Sequence, residues 1–515
     1  MFESARIHTL WELVEYRAAA SRGAPMFFDG DGRTVTFDGV RDEALRVAAG
    51  FRELGIGCGT RVAWQLPTRI DTVIASIALA RLGAVQTPVI PLHREREVGF
   101  ILGESATEYV LVPGIWRGFD HTAMVRKLAG DGVRVISVGG GLPVGEPAGL
   151  PEFTPERERG AARTRWIYYT SGTTAAPKGV EHTDATLIAG GVGLATALGM
   201  SAQDIGSIAF PYAHIAGPDY VIAMLVSGFP AVILETFTAA EAADAYARRG
   251  VTMAGGSTAF YQAFLDESRR RAGHGKLIPS LRLLSGGGAP LPPELYAAAG
   301  RELECAIVHG YGMTECPMIA MGTPYDSDEQ LSRTVGRPVV GAEVRIARPD
   351  GSEAGVGEAG EVTLKGAMLF RRYTDPALTT DAFDAEGYFH TGDLGYLRPD
   401  GHLVLTGRLK DIIIRKGENI SAQEIEDLVR THPAVAEAAV IGLPDRERGE
   451  RLCAVVTLAD PAAAQLSLAA LNSHLRAAGL MTQKLPEQLE IADELPRGGP
   501  LHKVLKEALR ARYRA

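Results

Sequence analysis

The chain has 515 residues, 46% of them hydrophobic and 22% charged, a balance that fits a globular protein of two or more domains. Its 53 Lys and Arg against 62 Asp and Glu give a net charge of −9, which argues against a general binder of nucleic acid or anionic membranes. No stretch approaches the roughly twenty apolar residues of a membrane span.

In chain order, residues 42–54 predict an amphipathic helix stopped at Gly55, and 61–66 a strand. A second helix follows over 72–82, closed by Gly83, and 83–89 reads as a buried strand. Strands alternate with helices to about residue 290, the pattern of α/β layers built on largely parallel sheets. Residues 141–165, rich in Pro, Gly, Glu and Arg, read as an exposed connection. From about 335, short strands with turn signals (342–347 and 360–364) predict a small β-rich subdomain, and beyond Gly407-Arg408-Leu409-Lys410-Asp411 the pattern is compact α+β. A domain boundary is therefore expected near Lys410, giving an N-terminal domain over 1–409 and a C-terminal one over 410–515. The basic tail (Lys503, Lys506, Arg510, Arg512, Arg514) reads as a solvated helix end rather than a binding arm. The N-terminal Met1-Phe2-Glu3-Ser4-Ala5-Arg6 shows no leader of basic then apolar residues. Four scattered cysteines (Cys58, Cys305, Cys316, Cys453), with neither metal spacing nor a disulfide framework, suit a reducing cytoplasm.

The segment 168–180 reads Tyr-Tyr-Thr-Ser-Gly-Thr-Thr-Ala-Ala-Pro-Lys-Gly-Val and sets Thr170, Ser171, Thr173, Thr174, Gly172 and Gly179 around Lys178. Glycine lets backbone N–H groups approach an anion, hydroxyls donate hydrogen bonds and the lysine adds charge, which is the chemistry of a phosphate-holding loop. Pro177-Lys178-Gly179 stands where a Walker loop needs Gly-Lys-Ser/Thr; the bland alternative is a surface turn. Ser285-Gly286-Gly287-Gly288-Ala289-Pro290 follows an apolar strand at 281–284. Glycines after a strand let a flat group such as adenine lie on the backbone, or simply make a tight turn. His309-Gly310-Tyr311-Gly312-Met313-Thr314-Glu315 puts an aromatic, a hydroxyl and a carboxylate between flexible positions, and a carboxylate beside a phosphate loop fits Mg²⁺. Thr391-Gly392-Asp393 reads as a loop carboxylate, either an acceptor for ribose hydroxyls or an Asx turn. Arg408 and Lys410 precede an apolar strand at 412–414 and are otherwise strand-end charges.

In order and spacing these segments resemble the adenylate-forming superfamily of acyl-CoA synthetases, adenylation domains and beetle luciferases. The resemblance runs over nearly the whole chain. It takes in Leu54-Gly55-Ile56-Gly57 with Arg61-Val62, the 168–180 loop, Phe210-Pro211-Tyr212-Ala213-His214-Ile215-Ala216-Gly217 and the Gly-rich Ala-Pro. It continues through Tyr311-Gly312-Met313-Thr314-Glu315, Val335-Gly336-Arg337-Pro338, Thr391-Gly392-Asp393, Gly407-Arg408-Leu409-Lys410-Asp411 and Lys416-Gly417-Glu418-Asn419-Ile420. It implies an α/β fold: a large N-terminal domain with a small β-barrel-like subdomain, then a small mobile α+β domain turning at Lys410.

The reaction implied is ATP- and Mg²⁺-dependent activation of a carboxylic acid as an acyl-adenylate, followed by thioester formation with coenzyme A. Two alternatives stand beside it: loading of a carrier protein's phosphopantetheine thiol, and a non-catalytic nucleotide-binding homologue. The partners implied are a small carboxylate, ATP and CoA, in a cytoplasmic protein that binds no nucleic acid, inserts in no membrane and is compatible with a homodimer. By match to the motifs, Thr170, Ser171, Gly172, Thr173, Thr174 and Lys178 would line the β- and γ-phosphates. Gly288, Ala289, Pro290 and Tyr311 would hold adenine, Thr314 would touch the α-phosphate, Glu315 would hold Mg²⁺, and Asp393 would bind ribose with Arg408 nearby.

The acid pocket would draw on His214, Gly217, Gly256, Gly286 and Gly310; such small residues leave space for a bulky or cyclic acid, or let neighbours pack inward. An amino-acid-activating domain of this family normally carries Asp near Phe210-Pro211; none stands there, though Asp219 is nearby, which disfavours amino acids. The adenylation lysine implied is Lys503, with Lys506 the second candidate, because Leu495-Pro496-Arg497-Gly498-Gly499-Pro500-Leu501-His502-Lys503 has His502 where the family has glycine and one residue more after the proline. Two further departures are Asp184, in place of a second His after His182, and Ala422-Gln423 after Ser421.

Overall fold

The computed structural model describes residues 7–30, 32–130, 132–154, 163–170, 177–271, 275–415, 418–445, 449–460, 466–478, 480, 482–498 and 503–514. The chain divides into two compact units. The larger comprises Met1–Thr170, Pro177–Glu343 and Lys365–Ala382; the smaller includes Val344–Leu364 and Phe383–Ala515.

Among the described residues the larger unit has three sheets of four or more strands, besides a two-stranded ribbon of Ile115–Trp116 and Phe119–Asp120. One has seven strands in the order Arg372–Tyr373, Gly179–His182, Trp166–Tyr169, Val85–Pro88, Arg61–Trp64, Tyr109–Val112 and Arg134–Ser137. Its last five strands are parallel, and the first two add antiparallel to one edge. Helix Ile70–Leu82 is apolar nearly all round and buried along nearly its whole length, as a helix enclosed between layers must be. It stops at Gly83, whose φ of 69° is the left-handed conformation that glycine adopts without a Cβ clash. The preceding helix starts at Phe37 rather than 42, because the Thr36 hydroxyl accepts the Gly39 N–H and caps it there.

A second sheet runs Met253–Gly256, Leu283–Gly287, Ala306–Met313, Cys316–Met321 and Arg337–Pro338, parallel across the first three strands and antiparallel beyond. Helices Ala239–Arg249 and Thr258–Arg270 lay Tyr246, Tyr261 and Phe264 against Leu284 and Ile307 of this sheet in one apolar cluster. A third, four-stranded sheet pairs Gly206–Ile208, Ala231–Ile233, Pro25–Phe28 and Thr34–Thr36. Helices Asp184–Ala197 and Ala216–Ser227 meet closely: a Cβ on Gly190 would lie 2.5 Å from Asp219 Oδ1, and one on Gly191 2.4 Å from Ile222 Cγ2.

In the smaller unit the short-strand region forms a sheet of Ala342–Ala347, Gly360–Gly366, Phe389–Leu397 and Leu403–Arg408. Asp393, expected on a loop, lies inside the third of these strands, in register with Arg408. The C-terminal residues form a second sheet, Glu418–Ser421, Ile412–Arg415, Gly449–Leu458 and Val435–Asp445, with Gln488–Ile491 on Gly449–Leu458. Helices Ala422–Arg430 and Leu468–Ala477 cover one face through Ile425, Val429, Leu471 and Leu475. Of the basic tail, Arg512 and Arg514 are exposed, as a solvated helix end would be, whereas Lys506 pairs with Glu426 at 2.7 Å and Asp411 at 3.8 Å, and Arg510 with Asp411 at 3.5 Å. Among the described residues no helix is long and apolar enough to cross a membrane.

Candidate active site

The phosphate-loop segment connects two paired strands. Trp166–Tyr169 and Gly179–His182 run antiparallel in register Tyr169 with Gly179, which sets Thr170 and Lys178 side by side. The Thr170 N–H donates to the Lys178 carbonyl at 3.1 Å and the Lys178 N–H to the Thr170 hydroxyl at 3.3 Å. Ser171, Gly172, Thr173 and Thr174 lie outside the described residues. The Lys178 ammonium sits 5.0 Å from the centre of the Tyr373 ring.

Thr314 and Glu315 form the turn between strands Ala306–Met313 and Cys316–Met321. Three groups fix it. His182 bonds the Thr314 carbonyl through Nε2 at 2.7 Å; a carbonyl only accepts, so Nε2 carries the proton. The Phe370 N–H donates to the Glu315 carbonyl at 2.7 Å, and the Tyr373 hydroxyl to Glu315 Oε1 at 2.7 Å. Burial pushes the His182 imidazole down to about 4, so it is neutral near pH 7.

The adenine segment is held in a parallel way. Gly286 and Gly287 lie within their strand rather than after it, in register with His309 and Gly310, and Gly288 then turns with φ 81°. His309 bonds the Ala289 carbonyl through Nε2 at 2.7 Å, and burial lowers its imidazole to about 4 as well. Two neutral buried histidines thus each pin a carbonyl in one of the two turns. Tyr311 stands on the same strand as His309, with Thr314 just beyond its end, so the structure brings 288–290, Tyr311, Thr314 and Glu315 to one end of this sheet.

The glycines of the expected acid pocket are demanded by packing. A Cβ on Gly217 would lie 2.2 Å from the Tyr212 carbonyl oxygen, on Gly286 2.7 Å from the Tyr261 hydroxyl, and on Gly310 2.2 Å from Met321 Sδ. Gly256, at φ 150°, faces the Phe260 ring. Neighbours therefore fill these positions, the second of the two readings left open by the sequence. His214 is half-buried at the head of helix Ala216–Ser227, its Nδ1 accepting the Ala216 N–H at 3.3 Å. Asp219, on that helix, is fully buried; Oδ1 has no partner among the described residues, and burial raises the carboxyl to about 8. It therefore holds its proton at neutral pH and is no anion for an α-ammonium group. Asp184 is buried too, and its oxygens accept the Trp166 indole N–H and the Leu10 N–H, both at 2.9 Å, tying helix Leu10–Ala20 to the sheet.

In the smaller unit Arg408 Nε lies 2.7 Å from Asp393 Oδ1, an ion pair across two strands. Gly392 takes φ 71° and its N–H donates to Glu361 at 3.0 Å, which bends the strand ahead of Asp393. Lys503 begins the short strand Lys503–Val504, paired with Arg497–Gly498, and His502 lies outside the described residues. Lys410 belongs to a single 3₁₀ turn, Leu409–Asp411, and its side chain lies outside them.

Sequence reasoning missed Tyr373 and the supporting roles of His182 and His309. Each acts on a partner 20 to 132 residues away, a separation without a local pattern; the one available signal was a lone aromatic after Arg371-Arg372. The buried carboxylate of Glu315, anchored at backbone and side chain and close in the fold to Lys178 through Tyr373, is a donor set that suits one Mg²⁺ carboxylate beside phosphate oxygens.

The sequence profile of the AMP-binding enzyme family matches residues 14–374, and that of the AMP-binding enzyme C-terminal domain matches 424–499. A salicyl-AMP ligase / salicyl-S-ArCP synthetase of Mycobacterium tuberculosis is 33% identical, over 90% of this chain and 83% of its own length. A 2-hydroxy-7-methoxy-5-methyl-1-naphthoate–CoA ligase of Streptomyces carzinostaticus is 32% identical, over 97% and 93%. Among solved structures, the o-succinylbenzoate CoA synthetase MenE of Bacillus subtilis, in complex with ATP and magnesium ion, superposes with a TM-score of 0.82 at 28% identity, over 96% of this chain and 98% of that one.

Proposed function

The chain belongs to the AMP-binding enzyme family, and from that premise we propose that it activates a carboxylic acid with MgATP as an acyl-adenylate and passes the acyl group to the thiol of coenzyme A. The observation that carries this reading is the Thr314–Glu315 turn, fixed by His182, Phe370 and Tyr373, with the Lys178 ammonium on the same Tyr373 ring.

Attack of a carboxylate on a triphosphate brings two anions together, so charge must be neutralised along the phosphates in a site organised beforehand. Lys178 and the hydroxyls of the 170–178 loop meet the β- and γ-phosphates, and Thr314 meets the α-phosphate. Gly288–Pro290 and Tyr311 take adenine. Bound through Glu315, Mg²⁺ supplies positive charge against the phosphate oxygens. Asp393, with Arg408 beside it, accepts from the ribose hydroxyls, and Lys503 serves the reacting carboxylate. The carboxylate oxygen bonds to the α-phosphorus as the bond to pyrophosphate breaks; the thiol sulfur then takes the acyl carbon and AMP leaves. The C-terminal domain from Lys410 would turn between these two steps. The two relatives with aromatic acids in their names favour an aromatic acid.

A carrier-protein thiol is the second reading, favoured by the salicyl-S-ArCP synthetase at 33% identity. Incubation with ATP, Mg²⁺, a panel of carboxylic acids and either CoA or a phosphopantetheinylated carrier protein decides. Acid-dependent AMP with CoA thioester supports the first reading, thioester on the carrier alone supports the second, and AMP with no acid in the panel contradicts both.

A further inference from the structure

We propose that Tyr373 is a positioning residue for the metal-binding carboxylate, coupling Glu315 to Lys178 so that both charges are set before nucleotide binds. This rests on the reading of Glu315 as the Mg²⁺ carboxylate.

Tyr373 is buried, at 3% exposure, in the short strand Arg372–Tyr373 on the edge of the seven-stranded sheet. That strand pairs antiparallel with Gly179–His182, with Tyr373 opposite Val180, so the residue is anchored beside the strand that follows Lys178. The Thr374 N–H donates to the Gly179 carbonyl at 2.8 Å, and the Tyr373 N–H donates to the Thr379 hydroxyl at 3.0 Å, fixing the backbone on both sides. From this mount the side chain makes two contacts of different kinds. Its hydroxyl donates to Glu315 Oε1 at 2.7 Å, a charge-assisted bond that fixes the carboxylate's rotation. Its ring face lies 5.0 Å from the Lys178 ammonium, within reach of a cation–π attraction. Phe370, three residues earlier, packs on the ring at 4.7 Å between centres while its N–H holds the Glu315 carbonyl.

One segment, 370–374, therefore grips Glu315 at backbone and side chain and faces the lysine of the loop. A side chain there for packing alone would need no hydroxyl. The bond to Oε1 gives the hydroxyl a purpose: a metal carboxylate whose orientation is fixed by an outer partner binds its ion more tightly, and loss of such a partner typically costs about 10- to 100-fold in metal affinity.

The test uses the full-length protein with a non-hydrolysable ATP analogue and Mn²⁺ as the paramagnetic probe, its free signal read by electron paramagnetic resonance. Tyr373→Phe keeps the ring and removes only the hydroxyl. The expected result is a roughly 10-fold or greater weakening of Mn²⁺ binding, with binding of the metal-free analogue unchanged. Glu315→Gln is measured alongside. If Glu315→Gln weakens Mn²⁺ binding and Tyr373→Phe does not, the role of Tyr373 is overturned while the metal reading stands. If Glu315→Gln has no effect, Glu315 is not the metal carboxylate and the proposal falls with that reading. A second measurement needs no substitution that could unfold the protein: 3-fluorotyrosine at position 373 should shift its fluorine resonance when Mg²⁺ joins the bound analogue, and an unmoved resonance contradicts the proposal.

Discussion

The larger unit holds its candidate nucleotide turns with buried groups and the smaller unit holds its candidate residues with partly exposed ion pairs. In the first, neutral His182 and His309 bond the Thr314 and Ala289 carbonyls and the Tyr373 hydroxyl bonds Glu315. In the second, Asp393 faces Arg408, and Lys506 and Arg510 face Glu426 and Asp411. Buried neutral donors set a geometry that salt does not screen, and leaving their partners unpaired is costly. Partly exposed pairs contribute little each and yield to ionic strength.

The largest expected effect concerns the two lysines of the smaller unit. Lys503 is the lysine that the family motif points to, and Lys506 pairs with Glu426 and Asp411 at the start of helix Lys506–Tyr513; Lys503→Ala should lower the adenylation rate by about 10²–10³ and Lys506→Ala far less. Single-turnover adenylation measured with both variants checks this, and the reverse ranking moves the role to Lys506.

Next in size is the larger unit's histidine pair. His309→Ala removes the donor to Ala289 and leaves a cavity, with an expected loss of about 2–4 kcal/mol in stability by denaturant titration. A pH titration sharpens the point. Both imidazoles lie well below 6.5 when folded, at about 4, so the unfolded chain binds the extra protons. Stability is therefore complete above pH 6.5 and falls as pH drops towards 4. His309→Ala should flatten part of that slope.

Asp219 titrates in the opposite sense. Its folded value is raised from 3.8 to about 8, so the folded state keeps a proton that the unfolded state loses, and stability falls as pH rises from about 4 to 8. Asp219→Asn should remove that decline and leave the variant more stable than the parent at pH 8 while similar near pH 4; parallel melting curves at both pH values would contradict it. The smallest effect belongs to the smaller unit's ion pairs: Arg510→Ala should cost under about 1 kcal/mol, and the difference should vanish in high salt.

Much of this was legible in the sequence wherever chemistry is written locally. Thr314 and Glu315 stand at a turn between two strands, and helix Ile70–Leu82 ends at Gly83 as its pattern predicts. The reading strayed where context decides. Thr391-Gly392-Asp393 has the composition of a turn, yet Glu361 accepts the Gly392 N–H and ladder pairing with Arg408 keeps Asp393 in a strand. Gly286 and Gly287 looked like a post-strand turn, but the nearness of Tyr261 and Gly310 makes glycine necessary within the strand itself. Tyr373 could not be found because its partner Glu315 lies 58 residues away, and nothing in either local sequence declares the pair. The ion pairs of Lys506 and Arg510 could not be foreseen because their partners, Glu426 and Asp411, come from distant segments.

The most direct test of the central claim is acid-dependent exchange of radiolabelled pyrophosphate into ATP with a panel of aromatic and aliphatic carboxylic acids, thiol omitted. The predicted result is exchange that requires both Mg²⁺ and an acid, is abolished by Glu315→Ala and greatly reduced by Lys503→Ala. Nucleotide binding without exchange for any acid would contradict it and leave a protein that holds ATP but does not adenylate.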